Sequence, residues 1–511
     1  MTMAERKPHT AETFRDPVLK RLPDAVRVYE VGGAVRDALL GWPVADRDYV
    51  VVGATPEAML AAGFRPVGRD FPVFLHPKTQ EEYALARAEK KSGRGYHGFT
   101  FYTDPSVTLE EDLCRRDLTI NAMARAADGT LIDPYGGERD LLRGVLRHVS
   151  SAFVEDPLRV LRVARFAARF DFTVADETLA LMQRIADSDE LSTLAAERLW
   201  QETARALMTQ KPSRFLQVLR ACGALEKVMP EVAALYGVPQ KPEHHPEIDA
   251  GIHIEQVLDY AAQRNDTLPV RYALLCHDLG KGATPPQQWP SHRGHETRSV
   301  PLAQALSARL KVPVDCSDAA QLVACWHGEA LRAPDLNEET LLMMLMAADV
   351  LRRPYRLRWL IDAMTVDAGV KEWVKQGSEV RGQGSDIRCQ KSEISCVARI
   401  SEAPSGDRLT QSREGAEERN SPLPSRERGR GRGGVFPPPL PYSPLSRLRE
   451  RGGGEGSGDG LSAACFLEGA ADALQSVDAA AIARNHADDP ATIPAALHAA
   501  RIEALKKFKQ A

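Results

Sequence analysis

The sequence predicts an α+β chain: a small strand-and-helix head, a long helical remainder, and a low-complexity insertion ahead of the last helices. Three observations predict it. Residues 26–140 alternate strand and helix patterns. From Asp156 to about Val228 apolar residues recur at three- and four-residue steps, as in Leu158, Leu161 and Ala164, and a second helical block rich in histidine spans about 244–376. Residues 377–461 then turn to Gly, Pro, Ser, Arg and Glu with almost no aromatic residues, before a helical pattern returns at 463–507.

The first 25 residues mix both charge signs and lack an apolar core segment. They read as a loose extension, or a misassigned start, and not as a secretory signal. Val28–Val52 reads as strand, Gly32-Gly33 turn, short helix, and a second strand through Asp48-Tyr49-Val50-Val51-Val52. Side chains two apart on a strand share a face, so Asp46 and Asp48, flanking Arg47, are expected to point the same way. Two carboxylates so placed suit metal-assisted phosphoryl or nucleotidyl transfer. Gly32 and Gly33 let backbone N–H groups approach a phosphate at a helix start, and Arg36 adds a charged clamp. Further strand candidates are Val73–Leu75 and Tyr83–Arg87, with a helix at Thr55–Ala62. Glu82 reads as a surface-strand residue in preference to a third carboxylate of the site. Lys90-Lys-Ser-Gly-Arg-Gly-Tyr96 reads as a flexible basic loop.

Arg115-Arg116-Asp117 precedes an apolar helix start at Leu118-Thr-Ile-Asn121. It either caps that helix or binds a triphosphate or ribose through Arg116, with Asp117 orienting Arg116 or bonding the ribose hydroxyls. Asp156 and Pro157 suit an N-cap followed by a first-turn proline. That account leaves Arg159 idle, although it shares a helix face with Asp156. A carboxylate accepts from the exocyclic amino group of cytosine or adenine, and a guanidinium donates to the adjacent ring nitrogen. Guanine and uracil invert that pattern. Farther on, His277-Asp278 follows an apolar run, Tyr272–Cys276, and adjacent His and Asp can share a metal when other ligands converge.

Residues 377–461 carry a degenerate repeat around Pro437-Pro438-Pro439 and cannot bury enough apolar surface to offset chain entropy. Glu427, Glu450, Glu455 and Asp459 dilute their arginines, which favours flexible filler over a basic RNA-binding arm. The chain has 511 residues and a formal net charge of −4. That length implies about three to five folding units, and the charge confines any nucleic-acid surface to a local patch. The eight cysteines are scattered with no Cys-x-x-Cys pair, against a zinc ribbon or a disulfide framework. No apolar run approaches the about 18 residues of a membrane span. A cytoplasmic enzyme is the expectation.

The motifs Val31-Gly-Gly-Ala-Val-Arg-Asp37, Asp46-Arg-Asp48, Arg115-Arg-Asp-Leu-Thr-Ile-Asn121, Asp133-Pro-Tyr-Gly-Gly137, Glu155-Asp-Pro-Leu-Arg-Val-Leu-Arg162 and His277-Asp-Leu-Gly-Lys281 resemble, in order and spacing, those of bacterial CCA-adding tRNA nucleotidyltransferases of the multifunctional type carrying an HD phosphohydrolase domain. The resemblance covers about 26–376 and, more weakly, 463–507. It implies a small mixed-sheet nucleotidyltransferase head at 26–140, an all-helical nucleotide-selecting neck at 141–243 and an HD domain at 244–376. The insertion would occupy 377–462 and a helical tail 463–511. It implies Mg²⁺ on the catalytic Asp46 and Asp48, nucleotide binding by Gly33, Arg36, Arg116, Asp117, Asp156, Arg159, Arg162 and Arg165, and an HD metal (Mg²⁺, Ni²⁺ or Mn²⁺) on His253, His277, Asp278 and Asp367, with Asp349 the alternative to Asp367. His292, His295 and His327 are left as contacts to substrate or a second metal. The implied partners are tRNA, CTP and ATP, with no membrane, in a monomer or homodimer. The implied activity adds and repairs the 3′-terminal CCA without a template, with phosphatase and 2′,3′-cyclic phosphodiesterase activity in the HD domain. The rivals are a poly(A) polymerase, which would lack the HD domain, and an HD phosphohydrolase with an inactive RNA-binding head. The chain departs from the pattern after Asp367, where Gly369-Val-Lys-Glu-Trp373 and the insertion stand in place of a short Arg-Gly-Arg-like turn.

Overall fold

The computed structural model describes residues 16–44, 46–67, 73–91, 99–102, 104–241, 249–383 and 458–511. The chain divides into one unit of Met1–Val374 with Tyr442–Ala511 and another of Lys375–Pro441. Of the second unit, the described part is the end of helix Tyr355–Gln383.

The head is built on nine strands: β1 (Arg27–Val31), β2 (Asp48–Val52), β3 (Arg65–Val67), β4 (Val73–Leu75), β5 (Glu82–Leu85), β6 (Ala88–Lys91), β7 (Phe99–Tyr102), β8 (Ala124–Arg125) and β9 (Leu131–Ile132). Seven form one mixed sheet in the order β3-β4-β5-β2-β1-β8-β9. Only the β2–β5 pairing in it is parallel. β6 and β7 form a separate antiparallel ribbon.

Period-two alternation sends neighbouring residues of β2 to different cores. Tyr49 and Val51 join Tyr83, Leu85, Met59, Phe64 and Phe74 on one side. Val50 joins Val31, Ala86, Leu109, Leu113, Ala122 and Ala124 on the other. Val18 and Leu22 are buried in the first of these cores. The expectation of a loose segment before residue 26 is therefore corrected from residue 16 onward: those apolar side chains cover one face of the sheet. A boundary at 140 would also cut helix Gly137–Arg143.

Helix Leu158–Phe170 forms the spine of the neck. Leu158, Leu161 and Ala164 are buried, as periodicity predicts, but so are Arg159 and Arg165. Helices Ala196–Leu207 and Ser213–Ala221 pack against it. One hydrophobic core runs from Val35 and Leu118 in the head, through Leu161 and Phe215, to Leu274, Leu306 and Leu360, and on to Leu467 and Leu505 in the last helices. Neck, histidine-rich block and tail thus share a core; the expected boundary at 376 lies two residues past the division after Val374, and the one at 243 lies outside the described residues. Helix Tyr355–Gln383 runs past 376, and helix Gly458–Gln475 begins before 463. The expected filler at 384–457 and the basic loop at 92–98 lie outside the described residues.

Arg271 stitches the neck to the next block. Its buried guanidinium donates to the carbonyls of Leu207 (2.8 Å), Thr209 (3.0 Å) and Asp266 (2.9 Å). Each buried carbonyl left unpaired costs about 1–3 kcal/mol. Arg271→Met is therefore expected to destabilise the full chain by about 3 kcal/mol or more, read as a lowered midpoint in urea unfolding followed by circular dichroism.

Candidate active sites

Gly32 sits between β1 and helix Gly33–Leu39 at φ +68°. A Cβ there would come 2.9 Å from Arg116 Nη1, so the glycine both makes the turn and clears room for that guanidinium. Gly33 opens the helix. Arg36, buried on the same helix, donates to the side-chain oxygen of Asn121 and to Asp37 Oδ1 at 2.8 Å, and lies over the Phe166 and Phe170 rings.

Asp48 opens β2 and stands in register with Val31 of β1 and Glu82 of β5. Crowding by the chain and the Asp46 charge raise the Asp48 carboxyl, with Arg116 opposing. Glu82 is raised by desolvation, then by Asp48 and Asp46. Asp48 and Glu82 thus stand side by side on parallel strands, with Asp46 two residues before Asp48, and such neighbouring carboxylates fit a divalent cation. Glu82 is exposed on its strand, as the sequence predicts. Its register opposite Asp48 is set by a long-range parallel pairing that no local pattern announces. β2 starts at Asp48, so Asp46 precedes the strand, and strand alternation alone does not account for its direction.

Asp117 is buried and accepts from Arg162 Nε (2.7 Å), Asn121 Nδ2 (2.9 Å) and the Leu118 amide (2.9 Å). Burial would raise its carboxyl, but Arg162 and Asn121 hold it well below the usual carboxylate range. Of the two roles expected of Asp117, orienting Arg116 falls to Asp112: Arg116 pairs with Asp112 at 3.2 Å, one helical turn back, and reaches the Asn121 carbonyl at 3.5 Å. Asp112 also holds Arg115 at 3.1 Å. Its spacing of three and four residues from the two arginines was the available signal.

Asp156 accepts from the Leu158 amide at 3.1 Å, an N-cap contact, and from Arg198 Nη2 at 3.0 Å. Arg159 donates to the carbonyls of Ala152 and Arg115, both at 2.6 Å. Arg162 turns to Asp117. Arg165 pairs with the buried Glu202 and lies 4.2 Å from the Phe166 ring centroid. The capping contact weighed for Asp156 is present, while Arg198 and Glu202 were not foreseen. The Asp133 motif is structural: its carboxylate accepts from the Gly137 and Glu138 amides at 2.7 and 2.9 Å, and a Cβ on Gly137 would strike the Thr119 carbonyl.

The second site joins helices Ala250–Gln263, Leu268–Cys276 and Tyr355–Gln383. His253 Nε2 lies 2.9 Å from Asp367 Oδ1 and 4.0 Å from Asp278 Oδ2. His277 Nε2 lies 3.2 Å from Asp278 Oδ2 and 3.9 Å from Asp367 Oδ1. His277 Nδ1 donates to the Leu274 carbonyl at 2.7 Å, which fixes the tautomer and turns Nε2 inward. Burial would raise Asp278 and Asp367. The charges of His277 and Lys281 hold Asp278 well below the carboxylate range, and His253 does the same for Asp367. Buried His277 Nε2, Asp278 Oδ1 and Asp367 Oδ1 lack well-formed hydrogen bonds, so this His/Asp set fits a divalent cation. Among the described residues, ligand atoms of His253, His277 and Asp367 lie within 4.8 Å of one another, and so do those of His277, Asp278 and His327. Asp349 sits elsewhere, in a turn at φ +54°, 3.5 Å from Arg353. His295 Nε2 is 3.1 Å from Asp278 Oδ1 and 3.4 Å from His327 Nε2. His292 Nε2 is turned to the Pro239 carbonyl at 2.8 Å.

Comparison with known proteins follows the same division. Residues 28–147 match the family described as Poly A polymerase head domain, 171–236 the one described as probable RNA and SrmB-binding site of polymerase A, and 251–353 the HD domain. The chain is 61% identical over 343 residues to the Multifunctional CCA protein of Dechloromonas aromatica (strain RCB), covering 67% of this chain and 83% of that one. It is 62% identical over 343 residues to that of Azoarcus sp. (strain BH72), with the same coverage. Among solved structures, the Bacillus stearothermophilus CCA-adding enzyme in complex with CTP aligns at a TM-score of 0.49 and 24% identity, over 74% of this chain and 83% of that one. The relatives near 60% identity carry the assignment: the chain belongs to the multifunctional CCA protein family.

Proposed function

We propose that two chemically different sites divide the work of this chain. The protein is a CCA-adding tRNA nucleotidyltransferase with an HD domain consistent with phosphohydrolase activity. Neither rival, poly(A) polymerase or a dead-headed phosphohydrolase, gains support. The observation that carries the reading is the register that sets Asp48 beside Glu82 on parallel strands, with the Arg116 guanidinium packed against Gly32.

In our reading, Asp46 and Asp48, with Glu82 behind them, hold Mg²⁺. A cation there would activate the RNA 3′ hydroxyl and neutralise the α-phosphate of CTP or ATP. Arg36 and Arg116 supply positive charge near the phosphates, and Arg162 and Arg165 line the neck helix beyond. Asp156 and Arg159 select the base. They offer a hydrogen-bond acceptor and donors of the sign that cytosine and adenine need, and in the structure they are held by Arg198 and by two backbone carbonyls. Binding a nucleotide requires them to exchange these partners for the base edge.

In the HD domain, His253, His277, Asp278 and Asp367 hold one divalent ion. The mixed set of two imidazoles and two carboxylates suits Ni²⁺ better than the all-oxygen head site does. Asp278 also faces His295 and His327 through its other oxygen, which favours a second ion bridged by that carboxylate and excludes His292. Substrates would be phosphate monoesters and 2′,3′-cyclic phosphates at RNA ends. No described helix is long and apolar enough to cross a membrane. The free thiols of the described cysteines and the tRNA substrate suit the cytoplasm.

The two sites should be separable. Asp48→Ala is expected to abolish labelled CMP addition to tRNA lacking its CCA end while leaving 2′,3′-cyclic phosphate hydrolysis. His277→Ala should do the reverse. Loss of both activities in a folded variant would sink the division. Asp156→Ala should relax selection toward UTP and GTP, by about 1–3 kcal/mol of discrimination. Unchanged base preference with a slower rate would leave Asp156 as an N-cap alone. Metal analysis of the Ni²⁺-loaded full chain should find two ions in the HD domain. His295→Ala should retain one of them, and a single ion in the unaltered protein contradicts the bridged site.

A further inference from the structure

We propose that Glu30 is a positioning residue for nucleotide addition: through Arg47 it turns Asp46 onto the face of the sheet that Asp48 occupies. The inference rests on the reading of those aspartates as the metal-holding pair. Glu30 lies in β1 and is 1% exposed. A carboxylate buried in a sheet is costly unless paired, so its presence needs a reason. In register it stands opposite Tyr49 on β2 and Arg125 on β8. Directly opposed residues share a face, so Glu30 occupies the Tyr49 face. Asp48, opposite Val31 and Glu82, occupies the other.

Arg47 ion-pairs with Glu30 through Nη1. The second oxygen of Glu30 has no hydrogen bond, and the nearest Arg125 nitrogen is 3.6 Å away. Arg47 is therefore the strong partner. It lies just outside β2, where no ladder pairing dictates which way side chains point. Pinned by Glu30 on the Tyr49 face, Arg47 forces its neighbours on either side to the opposite face. The ion pair extends the strand's alternation two residues beyond its hydrogen bonds.

Removing one partner would strand a buried charge, so the informative variant removes both: Glu30→Leu with Arg47→Met, in the full chain. The expected result is a fall in kcat for CMP addition of roughly tenfold to a hundredfold, from displaced reacting groups, and a higher Mg²⁺ requirement. The KM for CTP should stay within about twofold, because the nucleotide's other contacts remain. Cyclic phosphate hydrolysis and Tm should stay at the unaltered protein's values, and amide exchange across 43–49 should quicken. Arg47→Lys, which keeps the charge, should restore most of kcat. Unchanged kcat and exchange in the double variant, or equal loss of both activities, overturns the proposal. Asp48→Asn separates the layers. If it still adds nucleotide, the metal reading fails and this inference with it; if it is inactive beside an unaffected double variant, this inference alone fails.

Discussion

The parallel pairing of β2 with β5 is the constraint on which the polymerising site depends. Parallel neighbours cannot be joined by a tight turn, so the chain must leave β2, form a helix and two antiparallel strands, and return. That excursion brings Glu82 into register with Asp48. Slipping the register by one residue would exchange Glu82 for Tyr83 and send the carboxylate into the Tyr49 core. The stacked rings of Tyr49 and Tyr83, with centroids 4.5 Å apart, oppose such a slip. An apolar contact on one face of the sheet thereby fixes the spacing of charges on the other.

The neck solves the opposite problem. Helix Leu158–Phe170 buries Arg159 and Arg165 within an apolar spine, and each guanidinium has found acceptors: backbone carbonyls for Arg159 and Glu202 for Arg165. Arg162 is shared with Asp117, which also accepts from Asn121, which in turn receives Arg36. This chain of charged hydrogen bonds ties the helix after β1 to the neck. Such networks are stiff because breaking one link strands a buried charge. In the proposed role of triphosphate contacts, arginines fixed in this way would have less ordering left to do than free side chains.

Much of this was legible in the sequence because it is local. The strand at Asp48–Val52, the helix at Pro56–Ala62 with its Thr55 cap, and the buried Leu158, Leu161 and Ala164 follow from periods of two and three to four residues. His253, His277, Asp278 and Asp367 could be named as a set from the resemblance, and the fold brings them together. What escaped is non-local. Glu82 depends on a parallel register, Arg198 reaches Asp156 from a later helix, and Arg271 finds its acceptors across a loop. The packing of Val18 and Leu22 onto the head escaped because charged neighbours mask two apolar residues in a short turn. Asp46 escaped differently: the alternation rule gave a direction for a residue that the hydrogen-bonded strand does not include.

The two sites also differ in how they are prepared. In the head, burial of the carboxyls and their like-charged neighbours raise Asp48 and Glu82, the direction that a bound cation would reverse. In the HD domain, histidines and Lys281 already surround Asp278 and Asp367 and hold both carboxyls down. Backbone carbonyls lock the rings as well, Leu274 for His277 and Val323 for His327. The second arrangement is rigid in its own right, since helix packing and main-chain hydrogen bonds set the ligand positions before any ion binds. The first needs its geometry supplied from outside the metal sphere, by sheet register and by the buried pairing of Glu30 with Arg47. The HD residues are thus held by helices packed into the long core, whereas Asp48 and Glu82 stand on a sheet that lies between two smaller cores.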